Sequence, residues 1–175
     1  AVSAFENAVA GCDGVNLSGS GKVDSYDSSV GDGTYDESNP GTKGNVATIN
    51  QDADVYLKGN SPVYGNVEAT GRITLGGSSP VYGNLHANDT IDINQGDVKG
   101  NVLTRGNFKV AGSKIRGQVR VNGHTAEDTD GNIIFKGIIL RNWDGSAQTN
   151  PDGSVKRSNH NVEMGQGAEI LNLEK

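Results

Sequence analysis

Gly59-Asn60-Ser61-Pro62-Val63-Tyr64-Gly65-Asn66-Val67-Glu68-Ala69 returns eighteen residues later as Gly77-Ser78-Ser79-Pro80-Val81-Tyr82-Gly83-Asn84-Leu85-His86-Ala87. Shorter copies follow at steps of 17: Val98-Lys99-Gly100-Asn101-Val102, then Ile115-Arg116-Gly117-Gln118-Val119. An earlier copy, Lys43-Gly44-Asn45-Val46, precedes the first by 21, and Phe135-Lys136-Gly137-Ile138-Ile139-Leu140 follows the last by 20. Self-similarity at a fixed period marks a repeat architecture, in which each unit buries its apolar face only against its neighbours.

A second motif recurs inside the same period: Val55-Tyr56-Leu57, Ile73-Thr74-Leu75, Ile91-Asp92-Ile93 and Phe108-Lys109-Val110. Each triplet is apolar–polar–apolar, the period of two that belongs to a strand with one buried face. In the first motif the same alternation turns Val63, Gly65, Val67 and Ala69 inward and Tyr64, Asn66 and Glu68 outward. Hairpins in a meander would also give short, evenly spaced strands, but their neighbours would be mirror-related, whereas here one motif recurs in one order. The expected fold is therefore all-β: a single-stranded, right-handed parallel β-helix of about six triangular coils, 17–18 residues each, with irregular ends.

Composition fits that fold. Only 33% of residues are apolar and 26 are glycine, which in a globular chain would suggest disorder. A solenoid has a narrow core and several corners per coil, and needs few of the first and many of the second. The chain divides into a cap and Asp/Ser/Gly-rich first coil (1–42), a regular β-helix (43–140), and a loop insertion with a closing coil (141–175). Within these parts, residues 2–9 suit a short helix, Val15-Asn16-Leu17 and Val23-Asp24-Ser25-Tyr26 suit first-coil strands, and 142–160 suits the insertion. Asn161-Val162-Glu163-Met164 then repeats the second motif, and Ile170-Leu171-Asn172-Leu173 closes the array.

The Val-x-Gly-Asn-Val/Leu-x-Ala motif alternating with Ile-x-Ile over about 44–140 resembles the repeat of bactofilins, polymer-forming bacterial proteins with a right-handed β-helix core. A second resemblance lies in Gly11-Cys12-Asp13 and Leu17-Ser18-Gly19-Ser20-Gly21-Lys22-Val23-Asp24-Ser25-Tyr26-Asp27-Ser28. This stretch is similar to the one that follows the membrane anchor in PilX-like, pilus-assembly-associated surface proteins of Gram-negative bacteria. It implies an ectodomain, extracellular or periplasmic, tied to the membrane only through an N-terminal anchor that would precede Ala1. Its implied partners are other surface or pilus proteins, and between a cytoskeletal and a surface role the second resemblance favours the surface.

Net charge is −6 and the pI about 5.0, so phosphate backbones are repelled and no nucleic-acid partner is expected. Cys12 is alone, which rules out an internal disulfide or a cysteine zinc cluster. No apolar run reaches the roughly 18 residues that span a bilayer. Stacking the copies places Lys43, Tyr64, Tyr82, Lys99, Arg116 and Lys136 in one outward column. Of these, Tyr64, Tyr82, Lys99 and Arg116 are the candidate binding residues, for a glycan or simply as cover for the sheet. Asn45, Asn66, Asn84 and Asn101, continued by Gln118, form a second column, read as a stabilising amide ladder.

No cofactor is expected beyond calcium, for which Asp24 and Asp27 (with Asp32 and Asp36) and Asp128 and Asp130 (in Glu127–Ile133) are the weak candidates. A polysaccharide lyase needs acidic residues holding calcium near a base, and the sequence offers only Asp92 and Lys109 as column neighbours, more simply an ion pair. His86, His124 and His160 have no metal-ligand spacing, and Thr48, Thr70, Thr74, Thr90 and Thr104 do not make the array of ice-binding solenoids. The expectation is a non-catalytic surface or pilus-associated module with a structural, adhesive or assembly role. A self-assembling scaffold, a glycan-binding module and, last, a lyase stand as alternatives.

Overall fold

A computed structural model describes residues 7–26, 29, 34–121, 134–136, 142, 144, 146–156 and 161–173. No helix occurs among them. The chain winds into a parallel β-helix, with strands that alternate between two sheets. The first sheet takes β1 (Val9–Gly11), β3 (Val46–Thr48), β5 (Val67–Ala69), β7 (Leu85–Ala87), β9 (Val102–Thr104), β11 (Lys114–Val121) and β14 (Glu169–Leu173), neighbours in that order. The second takes β2 (Gly14–Leu17), β4 (Asp54–Leu57), β6 (Ile73–Gly76), β8 (Ile91–Asn94), β10 (Phe108–Ala111) and β13 (Asn161–Met164), all parallel. A row of single parallel bridges, Val23–Val63–Val81–Val98–Ile115, makes the third side of each coil.

Successive coils stack in register, so like falls on like. Val15, Val55, Ile73, Ile91, Phe108 and Val162 form one inward column. The first sheet adds a column of Val46, Val67, Leu85, Val102 and Val119. From Val46 to Val119 these residues are almost wholly removed from water, and each fully buried branched side chain contributes about 1.5–3 kcal/mol. The inward assignments of Val63, Gly65, Val67 and Ala69 hold, as do the outward ones of Tyr64, Asn66 and Glu68. No side-chain polar atom buried among the described residues lacks a hydrogen-bond partner.

The corners explain the glycines. A Cβ on Gly83 would sit 2.4 Å from the Gly65 carbonyl oxygen, one on Gly100 2.4 Å from that of Gly83, and one on Gly117 2.3 Å from that of Gly100. Coils about 4.8 Å apart leave no room for a side chain there. At another corner Gly77 adopts φ of 67°, in the left-handed region, and also abuts the preceding coil.

Both ends carry long insertions. Val23-Asp24 leads into Gly44-Asn45-Val46 as Val63-Tyr64 leads into Gly65-Asn66-Val67, because an ideal Cβ on Gly44 would lie 2.6 Å from the Asp24 Cα. Residues 25–43 therefore leave and rejoin the first coil at a single step. At the other end Val121 pairs with Thr104 and Val162 with Phe108, so the 40 residues 122–161 are an insertion in sequence between positions that only Arg105-Gly106-Asn107 separates in the preceding coil. This insertion is longer than the 142–160 expected from sequence. It also corrects the reading of Phe135-Lys136 as a further copy of the repeat and of 43–140 as regular throughout. β12 (Ile134–Lys136) pairs antiparallel with β13 on the outer edge of the second sheet, and regular winding stops at Val121. Asn161–Met164 and Ile170–Leu173 do rejoin the two sheets. Of the expected helix over 2–9, Val9 lies in β1, and residues 1–6 lie outside the described residues.

Candidate functional site

The outward column is built by the bridge row on the third side. Each of its residues follows a buried one, so it points to solvent. The amide of Tyr64 donates to the carbonyl of Val23, Tyr82 to Val63, Lys99 to Val81 and Arg116 to Val98. That register brings Tyr64, Tyr82, Lys99 and Arg116 together as expected. It puts Asp24, rather than Lys43, before Tyr64, and Lys136 lies in β12 outside the column.

The coil rise forces the two tyrosines face to face. Their ring centroids are 4.3 Å apart and their planes 8° from parallel. Tyr64 is half-buried and Tyr82 is 44% exposed. Burial, and then hydrogen bonding with Tyr82, raises the Tyr64 phenol above its ordinary value. Beyond Tyr82 lies an open groove of about 750 Å³ whose walls include Asn60, Ser78, Gln95, Asp97 and Lys99. Lys99 Nζ is 3.7 Å from Asp97 Oδ2, while Asp97 Oδ1 accepts the Lys114 amide at 2.9 Å.

Before Tyr64 the column ends in a polar knot. Lys22 Nζ lies 3.8 Å from Asp24 and 3.6 Å from Glu37, and the Tyr35 hydroxyl donates to Asp24 at 2.5 Å. Tyr26 meets Tyr35 edge-on at 6.2 Å. Contact with Tyr35 comes first among the causes that raise the Lys22 ammonium pKa. Asp24 therefore stabilises the root of the first insertion. Asp27, Asp32, Asp128 and Asp130 lie outside the described residues. Asp36 accepts from the Ser38 amide and hydroxyl, which lower its pKa. No group of three or more His, Cys, Asp or Glu suited to a metal occurs among the described residues.

The asparagine column is a ladder with unexpected rungs. Each side-chain oxygen accepts the backbone N–H of the next rung: Asn45 from Asn66 at 2.9 Å, Asn66 from Asn84 at 2.9 Å, Asn84 from Asn101 at 2.8 Å, and Asn101 from Gln118 at 2.8 Å. Amide side chains thus satisfy backbone donors at a corner where the sheet ladder is interrupted. In the second sheet Thr74, Asp92, Lys109 and Glu163 stand in register, and Lys109 pairs with Glu163 at 3.6 Å. At a corner, Arg72 Nε bonds Asp89 at 3.0 Å and holds that carboxyl below its ordinary value.

Sequence marks Asn150-Pro151-Asp152-Gly153 as a turn, and the structure bears it out and adds a twin at 142–146 that sequence reading missed. In Asn142-Trp143-Asp144-Gly145-Ser146 and Asn150-Pro151-Asp152-Gly153-Ser154 the hydrogen bonding is the same. Asn Nδ2 reaches the Ser hydroxyl (3.0 and 2.9 Å), and the Ser amide reaches the Asp carboxylate (2.9 Å in both). The Ser hydroxyls and amides lower the pKa of both carboxyls. The signal was present as Asn-x-Asp-Gly-Ser repeated eight residues apart.

No family model matches the chain, no curated protein matches it significantly, and no solved structure does either.

Proposed function

We propose that this chain is a non-catalytic structural ectodomain of a bacterial cell surface, a stiff β-helical stalk in a pilus-associated or adhesive assembly. The observation that supports it is how the repeated positions are used. Inward ones fill a continuous core, and repeated polar ones are consumed in coil-to-coil bonds through the Asn45–Gln118 ladder. Such a body resists bending and displays its insertions at its two ends. The surface location rests on the Gly11–Ser28 resemblance. Fractionation of cells carrying the epitope-tagged full-length gene product tests it. Recovery with the envelope, and labelling of intact cells, is expected; recovery in the cytosol overturns the reading.

A second reading, a self-assembling scaffold, draws on the first sheet. Its outermost strands, β1 and β14, each pair on one side only among the described residues, and open edges recruit further strands. Sedimentation across a wide concentration range decides it. Filaments or concentration-dependent growth support end-to-end joining, and a monomer throughout excludes it.

A further inference from the structure

The groove beside Tyr82 has the parts of a sugar site that the structural role leaves unused. Tyr64 and Tyr82 cover one face of each other, so Tyr82 keeps one face, and 44% of the residue is open to solvent. Flat, weakly polarised C–H faces of sugar rings pack on such a surface, while their hydroxyls need the alternating donors and acceptors that Asn60, Ser78 and Gln95 supply around it. An open groove suits a chain lying along it better than a small enclosed molecule.

Charge selects the kind of sugar. The chain as a whole is acidic, with net charge −6. The column positions after Tyr82 are nevertheless both cationic, Lys99 and then the exposed Arg116. Arg116 is outside the groove's wall, two coil rises from Tyr82 along the column, roughly 10 Å, so a chain stacked on the ring meets it by running on past Lys99. Asp97, in the groove wall, accepts the Lys114 amide and pairs with Lys99 at 3.7 Å with both side chains partly open to solvent, so Lys99 meets a ligand carboxylate by exchanging it for Asp97 and Arg116 supplies the further positive charge.

We propose that this groove binds an acidic oligosaccharide, a chain of hexuronate residues, with one sugar ring on the free face of Tyr82 and carboxylates meeting Lys99 and Arg116. Arg offers the planar, two-pronged match to a carboxylate that Lys lacks. This reading is independent of where in the cell the protein resides.

The test is calorimetric titration of the purified protein with a hexamer of galacturonic acid and with the same hexamer methyl-esterified at its carboxyls. The acid form should bind at least about tenfold more tightly than the ester, and its affinity should fall as salt rises. Tyr82→Ala should weaken both ligands about tenfold, the loss typical of a central aromatic anchor, whereas Tyr82→Phe should keep most of the affinity. Arg116→Ala should weaken the acid form and leave the ester unchanged. Thermal melts of each variant confirm that it is folded. No binding of either hexamer at millimolar concentration overturns the proposal. So does equal affinity for acid and ester, or binding unmoved by Tyr82→Ala in a folded protein.

Discussion

At the scale of single residues, the repeat is held by a pair with opposite needs, a glycine that must have no side chain and an asparagine that must have this one. Gly83 sits 2.4 Å, measured from an ideal Cβ, from the backbone oxygen of Gly65. Neighbouring glycines crowd one another in the same way along the corner, so relief by a local shift would propagate. Gly83→Ala should therefore destabilise by roughly 1–3 kcal/mol, the usual range for overpacking, read as a lower midpoint in chemical denaturation. Asn84 is tested by its acceptor. Its Oδ1 takes the Asn101 amide at 2.8 Å, so Asn84→Ala should cost about 1 kcal/mol. Asn84→Asp, which keeps an oxygen in place, should cost clearly less. Equal losses from both would mean that shape rather than hydrogen bonding holds the rung.

At the scale of elements, the spacing of Val-x-Ala and Ile-x-Ile made the middle coils readable, because burial on one face enforces a period of two inside a period of 17 or 18. The column of Tyr64, Tyr82, Lys99 and Arg116 was legible for the same reason: register follows from the buried residues beside it. The end coils were not. Val9 pairs with Val46, 37 positions away, and the insertion 25–43 hides an ordinary coil inside that distance. Phe135-Lys136-Gly137 copied the local pattern of the repeat without its partners, and pairing, which sequence does not display, placed β12 antiparallel instead. The ladder's true donors were also invisible, since side-chain identity does not say whether an amide meets an amide or a backbone N–H. Joining Asp24 directly to Gly44 tests the insertion. The bonds lost among the described residues include Lys22–Glu37, Tyr35–Asp24, Ser25–Lys43 and the Gly41–Ser25 backbone bond; the side-chain ones lie at the exposed surface, where each contributes little, and shortening a long loop recovers only modest closure entropy. The shortened chain should keep its far-ultraviolet circular dichroism and a cooperative melt. Loss of cooperative unfolding would show that 25–43 is part of the first coil and not a detour from it.

At the scale of the molecule, each coil touches only the coils on either side, so stability accumulates from neighbour to neighbour and opening starts where a neighbour is missing. The middle coils, carrying β6 and β8, have two neighbours on every side of the triangle. β1 and β2 begin the stack, and β14 ends the first sheet with no strand beyond it among the described residues, whereas in the second sheet the antiparallel β12 covers β13. Amide hydrogen exchange read by mass spectrometry should follow that order. Protection should be greatest over Ile73–Gly76 and Ile91–Asn94 and fall toward both ends. At the C-terminal end the two sheets should part company, with β13 exchanging more slowly than β14 although it comes earlier in the chain. A flat profile would mean that the stack opens only as a whole. A β13 no slower than β14 would mean that the antiparallel strand adds no protection to the edge it covers.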